Sequence, residues 1–130
     1  MAQRSNRIGW IGVDFDGTLA EYHGWKGEND LGEPVPAMVE RVKAWLAKGE
    51  TVKIFTARVG ISGAYSLESK RFADQEFSEN QTRIIQDWCE KHIGQRLEVT
   101  ATKDFAMIEL WDDRCVQVIP NTGVPVQERA

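Results

Sequence analysis

Short apolar runs alternate along this chain with longer stretches in which apolar residues recur at helical spacing. Runs rich in β-branched and aromatic side chains predict strands, whereas a spacing of three and four residues predicts amphipathic helices. Strands and helices alternate at first and further strands follow, which indicates an α/β fold with a mainly parallel sheet. The predicted strands are Arg7–Val13, Thr51–Phe55, Leu97–Thr100, Met107–Trp111 and Cys115–Ile119.

Two stretches of helical periodicity connect the predicted strands. The first spans Pro36–Lys48, where the proline suits a first turn and Gly49 suits a C-terminal stop. The second begins near Ser78, because Ser78 with Gln81 three residues later resembles a capping box, and it ends at Gly94. Each stretch carries an apolar stripe, so each is predicted to be an amphipathic helix.

Two segments lack a clear period. Residues 20–35 contain glycines and prolines in quick succession and predict a loop or flap, which carries Tyr22 and Trp25. These aromatic side chains either pack the flap or form a stacking platform for a substrate. Residues 59–77 form a polar insertion, expected to be a loop with a broken helix at Leu67–Phe72.

Composition places the chain among ordinary globular proteins. At 130 residues it can bury its own core, and one domain over residues 1–130 is expected. The net charge of −4 argues against broad electrostatic binding to nucleic acid or to an anionic membrane. No apolar run has the length of a membrane span or a signal core, so no membrane partner and a cytoplasmic location are expected. Cys89 and Cys115 lack metal-site spacing and are expected to be buried free thiols.

The candidate chemistry begins at the end of the first strand, where Asp14 and Asp16 precede Gly17. Side chains two residues apart on a strand share a face, so both carboxylates can approach one small volume. At about 4 Å and an effective dielectric of about 20 their repulsion is on the order of 4 kcal/mol, so the pair needs a cation or a shared proton. The alternative is a polar turn that merely closes the strand.

Other polar side chains follow the remaining predicted parallel strands at their carboxyl ends. Thr56 and Arg58 follow the second strand, Lys103 lies just beyond the third, and Asp112 and Asp113 follow the fourth. In open α/β sheets, ligands gather at this edge, near the point where the strand order reverses. The sequence therefore predicts one site that combines carboxylates, a hydroxyl group and cations.

These residues, in this order, resemble the haloacid dehalogenase superfamily of Mg²⁺-dependent phosphohydrolases. The most specific part is an apolar strand followed by Asp-Phe-Asp-Gly-Thr-Leu over residues 14–19. Thr56 at a strand end, Lys103, and the acids at 112–113 match the other three motifs, which are weak singly and strong as an ordered set. The gaps between motifs are too short for an inserted cap. The resemblance thus implies a capless, single Rossmann-like domain in three layers.

The resemblance assigns the aspartates their roles and implies Mg²⁺ as the cofactor. Asp14 would be the nucleophile that forms an aspartyl-phosphate, and Asp16 would be general acid and then general base. The metal ligands would be Asp14, the backbone carbonyl of Asp16, and Asp112, with Asp113 as an alternative ligand. Apart from the resemblance, the last two acids could instead cap the following turn.

Four further residues would act on the phosphoryl group or the substrate. Thr56 would donate a hydrogen bond to a phosphoryl oxygen, or it simply caps its strand. Lys103 would neutralise phosphoryl charge, with Lys70 or a plain solvated lysine as the alternatives. Arg58 and Gly17 complete the expected substrate-binding set.

The activity implied by the resemblance is Mg²⁺-dependent hydrolysis of a phosphomonoester, on a small molecule or an oligonucleotide. Arg58 and the run Trp111-Asp112-Asp113-Arg114 are also similar to the 3′-phosphatase of phage-type polynucleotide kinases, in which an arginine follows the second motif. Those enzymes show Ser-Gly-Arg where this chain has Thr-Ala-Arg. The acidity of the chain disfavours nucleic-acid ends, which stay an alternative. A non-catalytic metal-binding module of the same fold is another, and the order of the acids disfavours a receiver domain. Specificity would come from the flap, from residues 59–77 or from a neighbouring subunit of a homo-oligomer.

Overall fold

The computed structural model describes residues 4–67 and 71–127. The elements in chain order are β1 (Trp10–Val13), α1 (Pro36–Ala47), β2 (Thr51–Phe55), a 3₁₀ turn (Ala57–Val59), β3 (Tyr65–Ser66), β4 (Arg71–Phe72), α2 (Gln75–His92), β5 (Glu98–Thr100) and β6 (Met107–Trp111). Four of the strands form a parallel sheet in the order β5-β2-β1-β6. The predicted α/β, Rossmann-like domain with a mainly parallel sheet is confirmed.

One face of the sheet carries the main core. Ile11 lies beside Val52, and Val13 lies beside Ile54, so the apolar side chains of β1 and β2 share this face. Both helices pack on it, because the chain moves in one direction across the sheet from β1 to β2 to β5 and right-handed crossovers then place their helices on the same side. Trp88 of α2 packs edge-on against a fully buried phenylalanine, Phe15.

The opposite face is covered by a loop. The connection from β5 to β6 spans residues 101–106, and its Asp104 accepts a hydrogen bond from Trp10 Nε1 at 2.9 Å. Trp10 is buried there, with Lys53 over its ring and Phe55 beside it. Within the described residues, 4–67 and 71–127, no helix packs on this face, and the β5–β6 connection occupies the position of a third layer.

The predicted helix α1 is confirmed, and the predicted start of α2 is wrong. Gly49 at φ 83° follows α1 as expected. Helix α2 begins at Gln75, because the Asp74 carboxylate caps it by accepting from Phe77 N–H, and the Ser78 hydroxyl instead donates to Val59 O. No helix in the described part of the chain is long and apolar enough to cross a membrane.

In the described parts of the polar insertion, residues 59–67 and 71–77, two short strands lie where the broken helix was predicted to begin and end. Strands β3 and β4 pair antiparallel, and the rings of Tyr65 and Phe72 contact each other with centroids 5.1 Å apart. A cross-strand aromatic pair stabilises this arrangement, which the weak periodicity did not reveal. Residues 68–70, in the middle of the predicted helix, lie outside the described residues, and so does the alternative cation Lys70.

The predicted last strand, Cys115–Ile119, is wrong. A turn follows Asp112, and the segment then folds on itself through Ile119 N–H to Val124 O and an isolated bridge between Val118 and Pro125. Its side chains are exposed, since no layer of the described residues covers them. Cys115 is accordingly an exposed free thiol, which corrects the expected burial, whereas Cys89 is buried as expected.

Candidate active site

The sequence-predicted acids meet at the carboxyl ends of β1 and β6. These strands are neighbours, although 93 residues separate them along the chain. The chain leaves β1 toward β2 on one side and returns to β6 on the other, so the gap between β1 and β6 is the point where the strand order reverses. The structure thus places Asp14, Asp112 and Asp113 where this fold class binds ligands.

Three carboxylates form the centre of the site. One oxygen from each of Asp14, Asp112 and Asp113 lies within 4.8 Å of the others. Burial, a hydrogen bond with Asp113 and the charges of Asp112 and Asp113 raise the pKa of Asp14 to about 7. Hard oxygen donors at such close range suit a divalent cation, whose charge offsets their repulsion. The donor set therefore fits Mg²⁺.

Local geometry aims Asp14 and Asp113 at each other. The Thr18 hydroxyl lies 3.4 Å from Asp14 Oδ2, and Asp14 N–H donates to Trp111 O at 2.8 Å. Gly17 has φ 86°, and a Cβ atom at this position would collide with Asp113 Oδ2. The expected substrate-binding glycine thus contacts a carboxylate of the cluster, and a larger residue at this position would displace that carboxylate.

Asp16 points away from the three-carboxylate cluster, toward Arg58. Arg58 Nε donates to Asp16 Oδ2 at 2.7 Å and Nη2 donates to Asp16 Oδ1 at 2.8 Å, which is a two-bond fork. The guanidinium is buried and lies over the Trp25 ring, 4.8 Å from its centroid. Arg58, expected to bind substrate, is committed mainly to holding Asp16.

Thr56 and Asp16 line one small pocket together with Asp14 and Asp112. The pocket has a volume of about 240 Å³ and is lined by Asp14, Asp16, Phe55, Thr56, Ala57, Arg58, Asp112 and Arg114. The buried Thr56 oxygen accepts from Arg58 N–H at 3.2 Å, so Thr56 does cap the following turn. Its hydroxyl proton stays available to donate into the pocket.

The pocket also contains a cation to which the sequence analysis gave no role. Arg114 is one of the residues that line the pocket, and Lys103 lies exposed on the β5–β6 connection. Arg114 follows directly after the acid pair, and its position beside them is the signal that could have identified it. The predicted role of Lys103 stays a prediction.

The flap, residues 20–35, forms a second cavity on the other side of Asp16. This cavity has a volume of about 270 Å³ and shares Asp16 and Arg58 with the first. Trp25 packs against Phe77 and Arg58, which supports a packing role for this ring, while Tyr22 lines the cavity. The flap therefore packs against the site.

One buried polar residue of the site was missed from the sequence. Gln81 is 0 % exposed, and its carboxamide accepts from Arg58 Nη1 at 2.8 Å and donates to Glu28 O of the flap at 2.7 Å. The capping-box interpretation concealed it. The available signal was its position one turn before Ile85, on the apolar stripe of α2, where a polar side chain needs a buried partner.

Comparison with known proteins supports the fold and leaves the activity open. No protein-family model and no curated protein matches the chain. The solved structure of a conserved protein from Bacteroides thetaiotaomicron is similar, with a TM-score of 0.55 and 21% sequence identity. The similarity covers 88% of this chain and 84% of that chain. At this identity the likeness concerns the fold alone.

Proposed function

We propose that this protein is a Mg²⁺-dependent phosphomonoester hydrolase of the haloacid dehalogenase type, without a cap domain, that acts through an aspartyl-phosphate. The observation that carries the proposal is the convergence of Asp14, Asp112 and Asp113 beside Asp16 at the switch point of the sheet. A carboxylate nucleophile, a separately held carboxylate and a cation site are together what phosphoryl transfer through an acyl-phosphate needs.

The cation would be held by Asp14, by Asp112 or Asp113, and by the backbone carbonyl of Asp16. Bound Mg²⁺ would supply charge neutralisation at the transferring phosphoryl group. The side chains supply the rest of the chemistry, and the separation of Asp16 from the three clustered carboxylates supports a role other than metal binding for that side chain.

In the first step, an Asp14 oxygen forms a bond to phosphorus while the bond from phosphorus to the leaving oxygen breaks. The leaving oxygen takes a proton from Asp16. In the second step, Asp16 accepts a proton from a water molecule, the water oxygen attacks phosphorus, and the bond to Asp14 breaks to release phosphate. Thr56 donates to a phosphoryl oxygen, and Arg114 adds positive charge at the pocket wall.

The direct test is turnover of an aryl phosphate with Mg²⁺, with and without a chelator. Asp14→Asn is expected to reduce kcat by about 10⁴ or more, because the amide oxygen is a poor nucleophile. Asp87→Asn is the matched control, since Asp87 is exposed on α2 and pairs only with surface arginines in the described structure. Wild-type kcat in the Asp14 variant would refute the assignment of the nucleophile.

The covalent intermediate has its own test. With an added alcohol as a second acceptor, a common aspartyl-phosphate divides between water and the alcohol in one ratio for every leaving group. A ratio that changes with the leaving group would contradict the intermediate. Metal binding without turnover of any phosphomonoester would instead favour the non-catalytic module.

The packing of Arg58 favours a small phosphomonoester over nucleic-acid ends. The arginine that suggested the 3′-phosphatase is buried and bonded to Asp16 and Gln81, so little of its guanidinium is free for a polynucleotide. A nucleoside monophosphate and a 3′-phosphorylated oligonucleotide, compared by kcat/KM, separate the two substrates. Preference for the oligonucleotide would reverse this choice.

A further inference from the structure

A continuous chain of hydrogen bonds runs from helix α2 through Arg58 to Asp16. Gln81 bonds to Arg58 Nη1, and Arg58 bonds to both oxygens of Asp16 through Nε and Nη2. A guanidinium presents donors in one rigid plane, so its orientation sets the plane of the carboxylate that it grips. Whatever orients the far side of Arg58 therefore orients Asp16.

The carboxamide of Gln81 can adopt only one orientation. Arg58 offers only donors and the Glu28 carbonyl only accepts, so Oε1 must face Arg58 and Nε2 must face Glu28. The side chain is fully buried on α2, one turn before the core residue Ile85. Gln81 is thus a fixed point that holds Arg58 on one side and the flap backbone on the other.

We propose that Gln81 is a positioning residue that orients Asp16, through Arg58, for proton transfer to the leaving group, and that it ties this orientation to the position of the flap. The inference rests on the proposed phosphatase activity. Arg58 uses one donor of each of two nitrogens on Asp16, and each Asp16 oxygen keeps a second lone pair for a proton or water. The ion pair therefore holds the carboxylate in place and leaves an acceptor site on each oxygen.

Substrates with different leaving groups distinguish a positioning role of Gln81 from a purely structural one. A nitrophenolate departs without a proton, whereas an alkoxide needs one, so loss of general-acid orientation selectively slows alkyl phosphates. Gln81→Met keeps the length and approximate volume of the side chain and removes both hydrogen bonds. We expect it to lower kcat/KM on glycerol phosphate by about 10- to 100-fold, with kcat/KM on nitrophenyl phosphate within about threefold of wild type. The ratio kcat/KM is the quantity to compare, because it excludes hydrolysis of the aspartyl-phosphate, a step in which Asp16 acts on every substrate alike.

Gln86→Met is the matched control. Gln86 lies on the same helix and donates to a backbone carbonyl, Leu97 O, at 3.0 Å, away from Arg58. It is expected to leave the ratio of alkyl to aryl rates unchanged. If Gln81→Met does not fold, Gln81→Glu gives the second measurement, because a carboxylate cannot donate to Glu28 O and competes with Asp16 for Arg58. The same selective loss is expected.

A double-variant cycle completes the test. In an Asp16→Asn background there is no general acid left to position, so Gln81→Met should cause no further selective loss on the alkyl substrate. An equal loss of kcat/KM on both substrates, or a full additional loss in the Asp16→Asn background, would overturn the positioning role while leaving the phosphatase intact. Absence of Mg²⁺-dependent turnover in the wild type would instead overturn the proposed function, and this inference with it.

Discussion

Replacement of Gly17 by alanine tests the contact between Gly17 and Asp113. The substitution has two effects, a backbone cost from φ 86° and a collision of the new Cβ with Asp113 Oδ2. Gly63 is the matched control, because it has φ 72° and open space where a Cβ would stand. Each variant carries a backbone cost of about 1–2 kcal/mol, so Gly63→Ala should lower the Tm by about 3–10 °C.

The response to Mg²⁺ should separate the two variants. At 100 times its Kd, a bound ion adds about 2.7 kcal/mol to the free energy of unfolding. Displacement of a supporting carboxylate weakens metal affinity by about 10- to 100-fold. If the affinity falls 100-fold, a Mg²⁺ concentration that is 100 times the wild-type Kd only equals the Kd of the variant. The Mg²⁺-induced gain in the free energy of unfolding then falls to about 0.4 kcal/mol.

The assay is thermal unfolding of both variants and the wild type across a Mg²⁺ titration. At a 100-fold loss of affinity, the Mg²⁺-induced rise in Tm is expected to be about 7–12 °C smaller for Gly17→Ala than for Gly63→Ala. Turnover of an aryl phosphate should fall in parallel. If Gly17→Ala keeps the full Mg²⁺ response of the control, Asp113 does not need its place against Gly17 and the argument from this contact fails.

Two further predictions concern the charge cluster and the cysteines. Asp113→Asn removes one of three like charges, so the Tm without metal should rise by a few degrees, and the further rise in Tm on adding Mg²⁺ should be smaller than in the wild type. A lower metal-free Tm in calorimetry would contradict net repulsion in the cluster. Burial raises the pKa of Cys89 to about 12, so at pH 8 this thiol is almost entirely protonated, and a thiol reagent should label exposed Cys115 in the folded protein and both cysteines only after unfolding. Rapid labelling of Cys89 in the native state, measured by mass spectrometry, would show that the α2 packing opens.

Local sequence patterns were sufficient where the decisive interactions are local. Helix α1 and strands β2 and β6 lie where the periodicity predicts them, because their apolar faces and end signals occur within a few residues. Predictions were wrong where the structure of a segment depends on a packing partner that is distant in the sequence, or on the absence of such a partner. Cys115–Ile119 has the composition of a strand, but in the described structure no neighbouring strand or covering layer receives it.

The sequence by itself determined that Asp14 ends a buried strand and that a second acid pair follows another strand, because a two-residue period and a turn need only neighbouring residues. Only the tertiary structure decided that β6 lies beside β1, which brings Asp112 and Asp113 to Asp14. It also decided that Arg58 grips Asp16, 42 residues away, and that Gln81, 23 residues further along the chain than Arg58, holds the arginine. Contacts of this kind depend on which buried polar groups come together when the helices pack on the sheet, and no local sequence pattern specifies that pairing.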